Sequence, residues 1–281
     1  MICFPLFGGY GRNGNMLFQY ASGMSFAINN KTKFFVPSWI GNEILSLDKK
    51  NYTEYPFPRP ILNSRFFRAI LYKLPLTHRY DGNSNKIAPI KNNFLNIGYY
   101  QSLKYFEINV DYIKQCLKPS KQFEQVLSKY DHILSNVVAM HVRRGDYIES
   151  DLYPVCSIDY YIEAMKKFPN DKFMVFTDDV DWAKKKFSDR NDLVFSSDII
   201  SYGEHSLGFL SKKYHSEFDS WLDLYLMTRA KGNIISNSTF SWWAGFLNNG
   251  RVICPSNWIN EELLDGSFES RNLLPKSWEY L

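Results

Sequence analysis

Val137-Val138-Ala139-Met140-His141-Val142-Arg143-Arg144-Gly145-Asp146-Tyr147 is the stretch that opens the fold to reading. Its first six residues form an apolar run of strand length. The polarity then changes at once to two arginines, a glycine and an aspartate. Downstream, Ile158, Tyr161, Ile162 and Met165 fall at i, i+3, i+4 and i+7, the stripe of a helix, with Ser157 placed to cap its start. Lys172–Thr177 reads as a strand, Val180–Phe187 as a short helix, and Leu193–Phe195 as another strand. Trp221, Leu224, Tyr225 and Thr228 again keep helical spacing. Gly232–Ser236 reads as strand, Phe240–Leu247 as helix, and Val252–Cys254 as a last strand. Strand and helix alternating in this way imply an α/β fold with a parallel sheet covered on both faces.

The first half is less periodic. Met16–Ile28 reads as a helix and Lys33–Val36 as a strand. The segment Tyr55–Asn93 carries Pro56, Pro58, Pro60, Pro75 and Pro89, which predicts loops and short helices. The next helix carries Phe123, Val126, Leu127 and Tyr130. At about 150 residues per domain, 281 residues make roughly two domains. The change of domain is expected within Pro119–Asn136.

Hydrophobic residues at 45% and charged residues at 22% exclude a disordered chain, a collagen and a coiled coil. The charge, +4 from 33 basic and 29 acidic residues, is too balanced for a dedicated nucleic-acid binder but suits one local anion site. Cys3, Cys116, Cys156 and Cys254 are scattered without C-x-x-C pairs, which argues against a zinc site and for reduced thiols of an intracellular protein. MICFPLFGGYGRNGN lacks the basic start and apolar run of a signal peptide, and no run of 18 apolar residues occurs. A cytoplasmic protein without a transmembrane segment is expected.

Four motifs carry the chemistry. Arg143 and Arg144 follow an apolar strand, and the sites of open α/β sheets lie at the carboxyl ends of strands. Their planar, permanently charged forks match phosphate oxygens, and Gly145 lets the chain turn so that Asp146 faces the same crevice. Surface salt bridges are the bland alternative. An adhesion tripeptide, Arg144-Gly145-Asp146, is another, which the cysteine and leader evidence opposes. Ser236-Asn237-Ser238-Thr239-Phe240-Ser241 straddles a strand end and a helix start, where hydroxyls and N–H groups form an anion site. An ordinary N-cap accounts for Ser238 or Thr239 equally well.

Asp178 and Asp179 end another strand of the same half, and a carboxylate there can accept from a guanine edge or a ribose. Helix capping is the alternative. Asp179-Val180-Asp181 also spells D-x-D, the metal–diphosphate motif of many nucleotide-sugar enzymes. Gly8-Gly9-Tyr10-Gly11-Arg12-Asn13-Gly14-Asn15 opens the first helix, but neither a dinucleotide fingerprint nor a P-loop is present. The set describes a crevice for a diphosphate-bearing ligand. A nucleoside diphosphate is a good leaving group, so arginines that neutralise it replace a general acid and one carboxylate base suffices. A glycosidase needs two facing carboxyl groups.

These residues resemble the α-1,2-fucosyltransferases of glycosyltransferase family 11. The resemblance rests on His141–Tyr147, on Gly14-Asn15 with Phe18-Gln19-Tyr20-Ala21, on Gly98-Tyr99-Tyr100-Gln101-Ser102 with Lys104-Tyr105-Phe106, and on Asn237–Trp243, in the family's order. It implies a GT-B-like α/β architecture of two Rossmann-like domains facing a cleft. Residues 1–130 would form the acceptor-side domain with the glycine-rich loop, and 131–281 the donor-nucleotide domain. The implied reaction is inverting transfer of fucose from GDP-fucose to the 2-hydroxyl of a galactose-containing glycan, with no metal or other cofactor. By resemblance, Arg143 holds the diphosphate with Arg144 and His141 beside it. Asn237, Ser238, Thr239, Phe240 and Ser241 line the phosphate side, and Asp178 or Asp179 reads guanine. Gly14 and Asn15 approach the donor. Near the arginines, Asp146 is the candidate base, with Glu149, Asp151 or a base-free mechanism as alternatives.

Overall fold

A computed structural model describes residues 1–9, 11–55, 64–80, 90–203, 208–264, 270 and 273–281. Pro56, Pro58, Pro60 and Pro89 of the expected loop segment, and Tyr10 of the glycine-rich stretch, lie outside the described residues. The chain divides into two units, Met1–Phe123 and Glu124–Leu281. Each is built on its own parallel sheet.

In the first unit, β1 (Ile2–Cys3), β2 (Phe34–Pro37), β3 (Tyr52–Tyr55), β4 (Thr77–Tyr80) and β5 (Leu95–Gly98) lie in the order β3-β2-β1-β5-β4. The helix Asn13–Asn29 follows β1 and is buried nearly all round, which explains its mixture of large apolar and small residues. A Cβ on Gly23 would overlap the Phe34 ring, so glycine is what lets this helix approach β2 so closely. Phe4 stacks on Tyr100 with centroids 4.9 Å apart and meets Phe34 edge-on at 5.2 Å. The segment expected as loops and short helices contains the helix Arg65–Lys73 but also β4, which pairs with β5 from Thr77↔Leu95 to Tyr80↔Gly98. As an edge strand, β4 needs no continuous apolar run, and Thr-His-Arg-Tyr has none.

In the second unit, β6 (Val137–Val142), β7 (Lys172–Thr177), β8 (Leu193–Phe195), β9 (Gly232–Ile234), β10 (Arg251–Cys254) and β11 (Glu279–Tyr280) lie in the order β11-β10-β9-β6-β7-β8. The chain starts in the middle at β6, steps outward through β7 to β8, then returns to the other side of β6 and steps outward again. This is the order of a doubly wound dinucleotide-binding sheet, and its direction reverses between β6 and β9. All six residues of β6 are buried, as a central strand covered on both faces requires. Val138, Met140, Val142, Phe173, Val175 and Ile234 pack with Tyr161, Ala164, Met165 and Phe187 from the flanking helices, each burial worth roughly 1.5–3 kcal/mol for a large side chain. Ser157 caps the helix Ile158–Lys166 by accepting from the Tyr160 amide at 3.2 Å. The strand expected to be last is followed by β11, only two residues long and at the sheet edge.

Candidate active site

The reversal between β6 and β9 places two loops side by side at the carboxyl ends of these strands, where α/β sheets bind ligands. The loop after β6 carries Arg143 and Arg144, and the one after β9 carries Ser236 to Ser238. The end of β7, paired with β6 up to Val142↔Thr177, adds Asp178 and Asp179. Residues up to a hundred positions apart in sequence thus meet on one edge.

Arg143, 14% exposed, ion-pairs through its two terminal nitrogens with Asp178 and with Asp146. Its guanidinium also lies 5.2 Å from the Tyr147 ring centre. The Arg144 amide donates to Asp178 Oδ1 at 2.9 Å, and Arg144 Nε donates to Asp179 Oδ2 at 3.0 Å. The Arg144 guanidinium stacks over Trp182 at 3.8 Å, a contact the sequence did not suggest. Gly145 has a φ of +22°, and a Cβ there would stand 2.5 Å from Asp178 Oδ2. The arginines are therefore oriented before any ligand arrives, by ion pairs with carboxylates and by contacts with the Tyr147 and Trp182 rings.

Asp179 caps the helix Val180–Lys186, accepting from the Trp182 amide at 3.3 Å. Both Asp178 and Asp179 are thus engaged by the arginine loop, and Asp181 of the D-x-D is exposed. Among the described residues no group of three or more His, Cys, Asp or Glu is arranged to hold a metal ion. Asp146 is the most open of the three carboxylates paired with the arginines, its side chain 62% exposed, while Glu149 and Asp151 are exposed further along the loop.

His141 faces the neighbouring loop, its Nδ1 2.7 Å from Ser236 Oγ and its ring 5.1 Å from that of Phe240. Burial, reinforced by the Arg143 charge, pushes its pKa down to about 3, so the imidazole is neutral. Ser241 Oγ donates to the carbonyls of Ser236 and Ser238 at 3.1 and 3.3 Å. Ser238 caps the helix Thr239–Leu247 by accepting from the Phe240 amide at 3.3 Å. Asn237 spends its amide inside the protein, donating to the carbonyls of Pro154 and Trp258 at 2.7 and 3.0 Å. Thr239 and Phe240, half-buried, are the members of this motif that reach the surface. Tyr147 Oη donates to the Asn237 carbonyl at 3.3 Å and so couples the two loops.

Gly14 and Asn15 belong to the first unit, in the opening turn of Asn13–Asn29. Asn15 Oδ1 accepts from Gln101 Nε2 at 2.6 Å. Gln19 accepts from the Gly8 amide at 3.0 Å and donates to the Gly98 carbonyl at 2.7 Å, and Ser22 donates to the Tyr100 carbonyl at 3.2 Å. The two N-terminal motifs are one hydrogen-bonded assembly at the carboxyl ends of β1 and β5. Gly11, at φ +88°, passes so close to Asn15 that a Cβ would overlap its amide.

One further carboxyl near the edge escaped sequence reasoning. Asp223, half-buried in the helix His215–Met227, accepts from Tyr202 Oη, which also lies 3.0 Å from Ser196 Oγ immediately after β8. Burial pushes its pKa up to about 7. Its signal was an acid set among Trp221, Leu222, Leu224 and Tyr225.

The sequence profile of glycosyl transferase family 11 matches residues 9–281. The chain belongs to that family. As a member of glycosyl transferase family 11, the protein is a glycosyltransferase. It is 28% identical over 308 residues to the alpha-1,2-colitosyltransferase of Escherichia coli, covering 94% of each chain. It is 25% identical over 269 residues to the putative galactoside 2-alpha-L-fucosyltransferase svh-11 of Caenorhabditis elegans, covering 85% of this chain and 67% of that one. Among solved structures, a mutant of Arabidopsis thaliana FUT1 in complex with GDP superposes with a TM-score of 0.51 at 10% identity, over 96% of this chain and 74% of that one. That likeness concerns the fold, which is of the GT-B type.

Proposed function

We propose that the protein transfers L-fucose from GDP-fucose, with inversion, to the 2-hydroxyl of a galactose-containing glycan. The observation that carries this reading is the pair Arg143 and Arg144, held by Asp178 and Asp179 on the loop after β6, which touches through Tyr147 the loop leading into the helix Thr239–Leu247. A diphosphate there meets two guanidinium forks and a helix N-terminus, and needs neither an acid nor a cation to leave. The engagement of Asp179 with Arg144 and with the Trp182 amide supports a metal-free reaction, because that carboxylate is already committed. In the reaction the acceptor oxygen bonds to the anomeric carbon, the bond to the GDP oxygen breaks, and the acceptor proton passes to a carboxylate. Asp146 is assigned as that base: it is the exposed carboxylate touching Arg143, so a diphosphate that takes over Arg143 frees it.

The relatives support a sugar donor of the 6-deoxy-L-galactose type. The Escherichia coli colitosyltransferase favours a second reading in which the donor is GDP-colitose, whose sugar lacks the 3-hydroxyl of fucose. Thermal-shift titration with GDP, UDP, ADP and CMP, followed by transfer assays with both GDP-sugars in excess EDTA and linkage analysis of the product by NMR, tests the proposal. Selective stabilisation by GDP and a 1,2-linked fucosyl galactoside formed in EDTA are expected. Activity restored only by Mn²⁺, or faster transfer of colitose, overturns the corresponding part.

A further inference from the structure

The helix Arg65–Lys73 fully buries one side chain, Leu71, with Phe67 and Tyr72 packed beside it on Leu6, Leu95 and Ile97. Its opposite face carries Phe66, 77% exposed, and Ile70, 41% exposed, one turn apart. Just past the end of the helix, Leu74 and Leu76 are 41% and 59% exposed. Four of the ten exposed large hydrophobic side chains among the described residues therefore fall between positions 66 and 76. Isolated exposed leucines need no explanation, but four large exposed apolar side chains within so short a stretch mark an interaction surface.

Charge identifies the partner. Arg65 and Lys73 are exposed and flank the apolar line, whereas Arg68 is turned inward, donating to the Gly9 carbonyl at 2.8 Å. Between Glu54 and Glu107 the sequence holds eight Lys and Arg and one acidic residue, Asp81. The whole protein carries only +4, so the rest of the chain is net acidic and the excess of cations falls in the stretch of sequence that contains this helix. A protein groove shaped for Phe66 and Ile70 would have to bury the adjacent Arg65 and Lys73 or find each a carboxylate. An anionic bilayer accepts both groups without rearrangement. The apolar side chains enter the acyl boundary while the long cationic side chains reach up to headgroup phosphates.

We propose that this helix face is a membrane-docking surface, lying in the plane of a bilayer that contains anionic phospholipid. The inference concerns the first unit alone and does not rest on the donor assignment. Its consequence is peripheral, salt-sensitive attachment, which would bring the enzyme to acceptors carried on a lipid surface.

The test is flotation of the full chain with vesicles of phosphatidylcholine alone and of phosphatidylcholine mixed with phosphatidylglycerol. Wild-type protein floats with the mixed vesicles, far less with phosphatidylcholine alone, and is released by high salt. The pair Arg65→Glu and Lys73→Glu weakens partitioning at least about fivefold for each cation lost. The pair Phe66→Ser and Ile70→Ser weakens it by roughly tenfold or more. All four side chains are exposed, so both double variants keep the wild-type melting temperature and rate on soluble acceptor. Equal binding to both kinds of vesicle, or variants that float like wild type, overturns the proposal. A lipid-free dimer that both variants dissolve into monomers also overturns it, because the face would then belong to a second copy.

Discussion

His141 Nδ1 stands 2.7 Å from Ser236 Oγ, and this contact joins the two loops that flank the reversal of strand order in the second sheet. Ser236 in turn receives Ser241 Oγ on its carbonyl at 3.1 Å, so one buried chain of polar groups runs from β6 into the helix Thr239–Leu247. The neutral imidazole belongs to this framework, on which Arg143 is mounted two residues later.

The burial of this histidine beside the Arg143 charge predicts a pH dependence of stability. Unfolded, His141 takes up a proton near its ordinary pKa of 6.5; folded, it does so only at about 3. Between these values the unfolded state binds more protons, so stability is intact above pH 6.5 and is lost as pH falls, by up to about 1.4 kcal/mol per unit. Denaturant midpoints at about pH 7 and pH 5 should fall less in His141→Gln than in wild type. An equally steep fall in the variant would mean that other groups set the acid limit.

Gly145 sets the path of the arginine loop. Gly145→Ala forces a methyl toward Asp178 Oδ2 at a backbone angle that side chains rarely adopt, at a cost of about 1–3 kcal/mol. A lower melting temperature with a larger loss in kcat/KM is expected, because the displaced Asp178 is the partner of Arg143. Unchanged kinetics in a destabilised variant would show that Asp178 does not orient that arginine.

Asp179 separates two roles that the sequence left open. If it is a cap and a brace for Arg144, Asp179→Ala costs about 0.5–2 kcal/mol of stability and leaves the preference for GDP over ADP intact. Loss of that preference at undiminished stability would make it a reader of the base instead. Differential scanning fluorimetry with both nucleotides distinguishes the outcomes.

Much of the second unit was legible because its central strands are short apolar runs ending abruptly in polar residues. Val137–Val142 and Lys172–Thr177 appear in the structure with the boundaries that the sequence suggests. The first unit was harder for a physical reason. β1 is two residues long, β3 and β4 are edge strands with polar side chains, and the helix Arg65–Lys73 turns apolar residues outward as well as inward. At the site, residue types at strand ends located Arg143, Asp178 and Ser238. Their partners are another matter: Asn237 meets Pro154 and Arg144 meets Trp182, and no local pattern announces contacts of that range. Asp223 was hidden by its setting within an apolar helix stripe.

Asp146 is the test of the base. Asp146→Asn keeps shape and removes basicity, so kcat should fall while KM for the donor does not rise, because the asparagine no longer competes with the diphosphate for Arg143. Glu149→Gln and Asp151→Asn serve as controls and should remain near wild type. If all three retain most of their activity, departure of GDP alone drives the reaction.

The central claim is that Arg143, braced at the reversal between β6 and β9, carries the charge of the leaving diphosphate. The direct measurement is the rate of fucosyl transfer from GDP-fucose by Arg143→Ala, with Arg143→Lys beside it, both shown to be folded by their melting curves. The account predicts a fall of about 10²–10³ in kcat for the alanine variant and little recovery with lysine, whose point charge cannot form a fork. An alanine variant that turns over within a few-fold of wild type would contradict it.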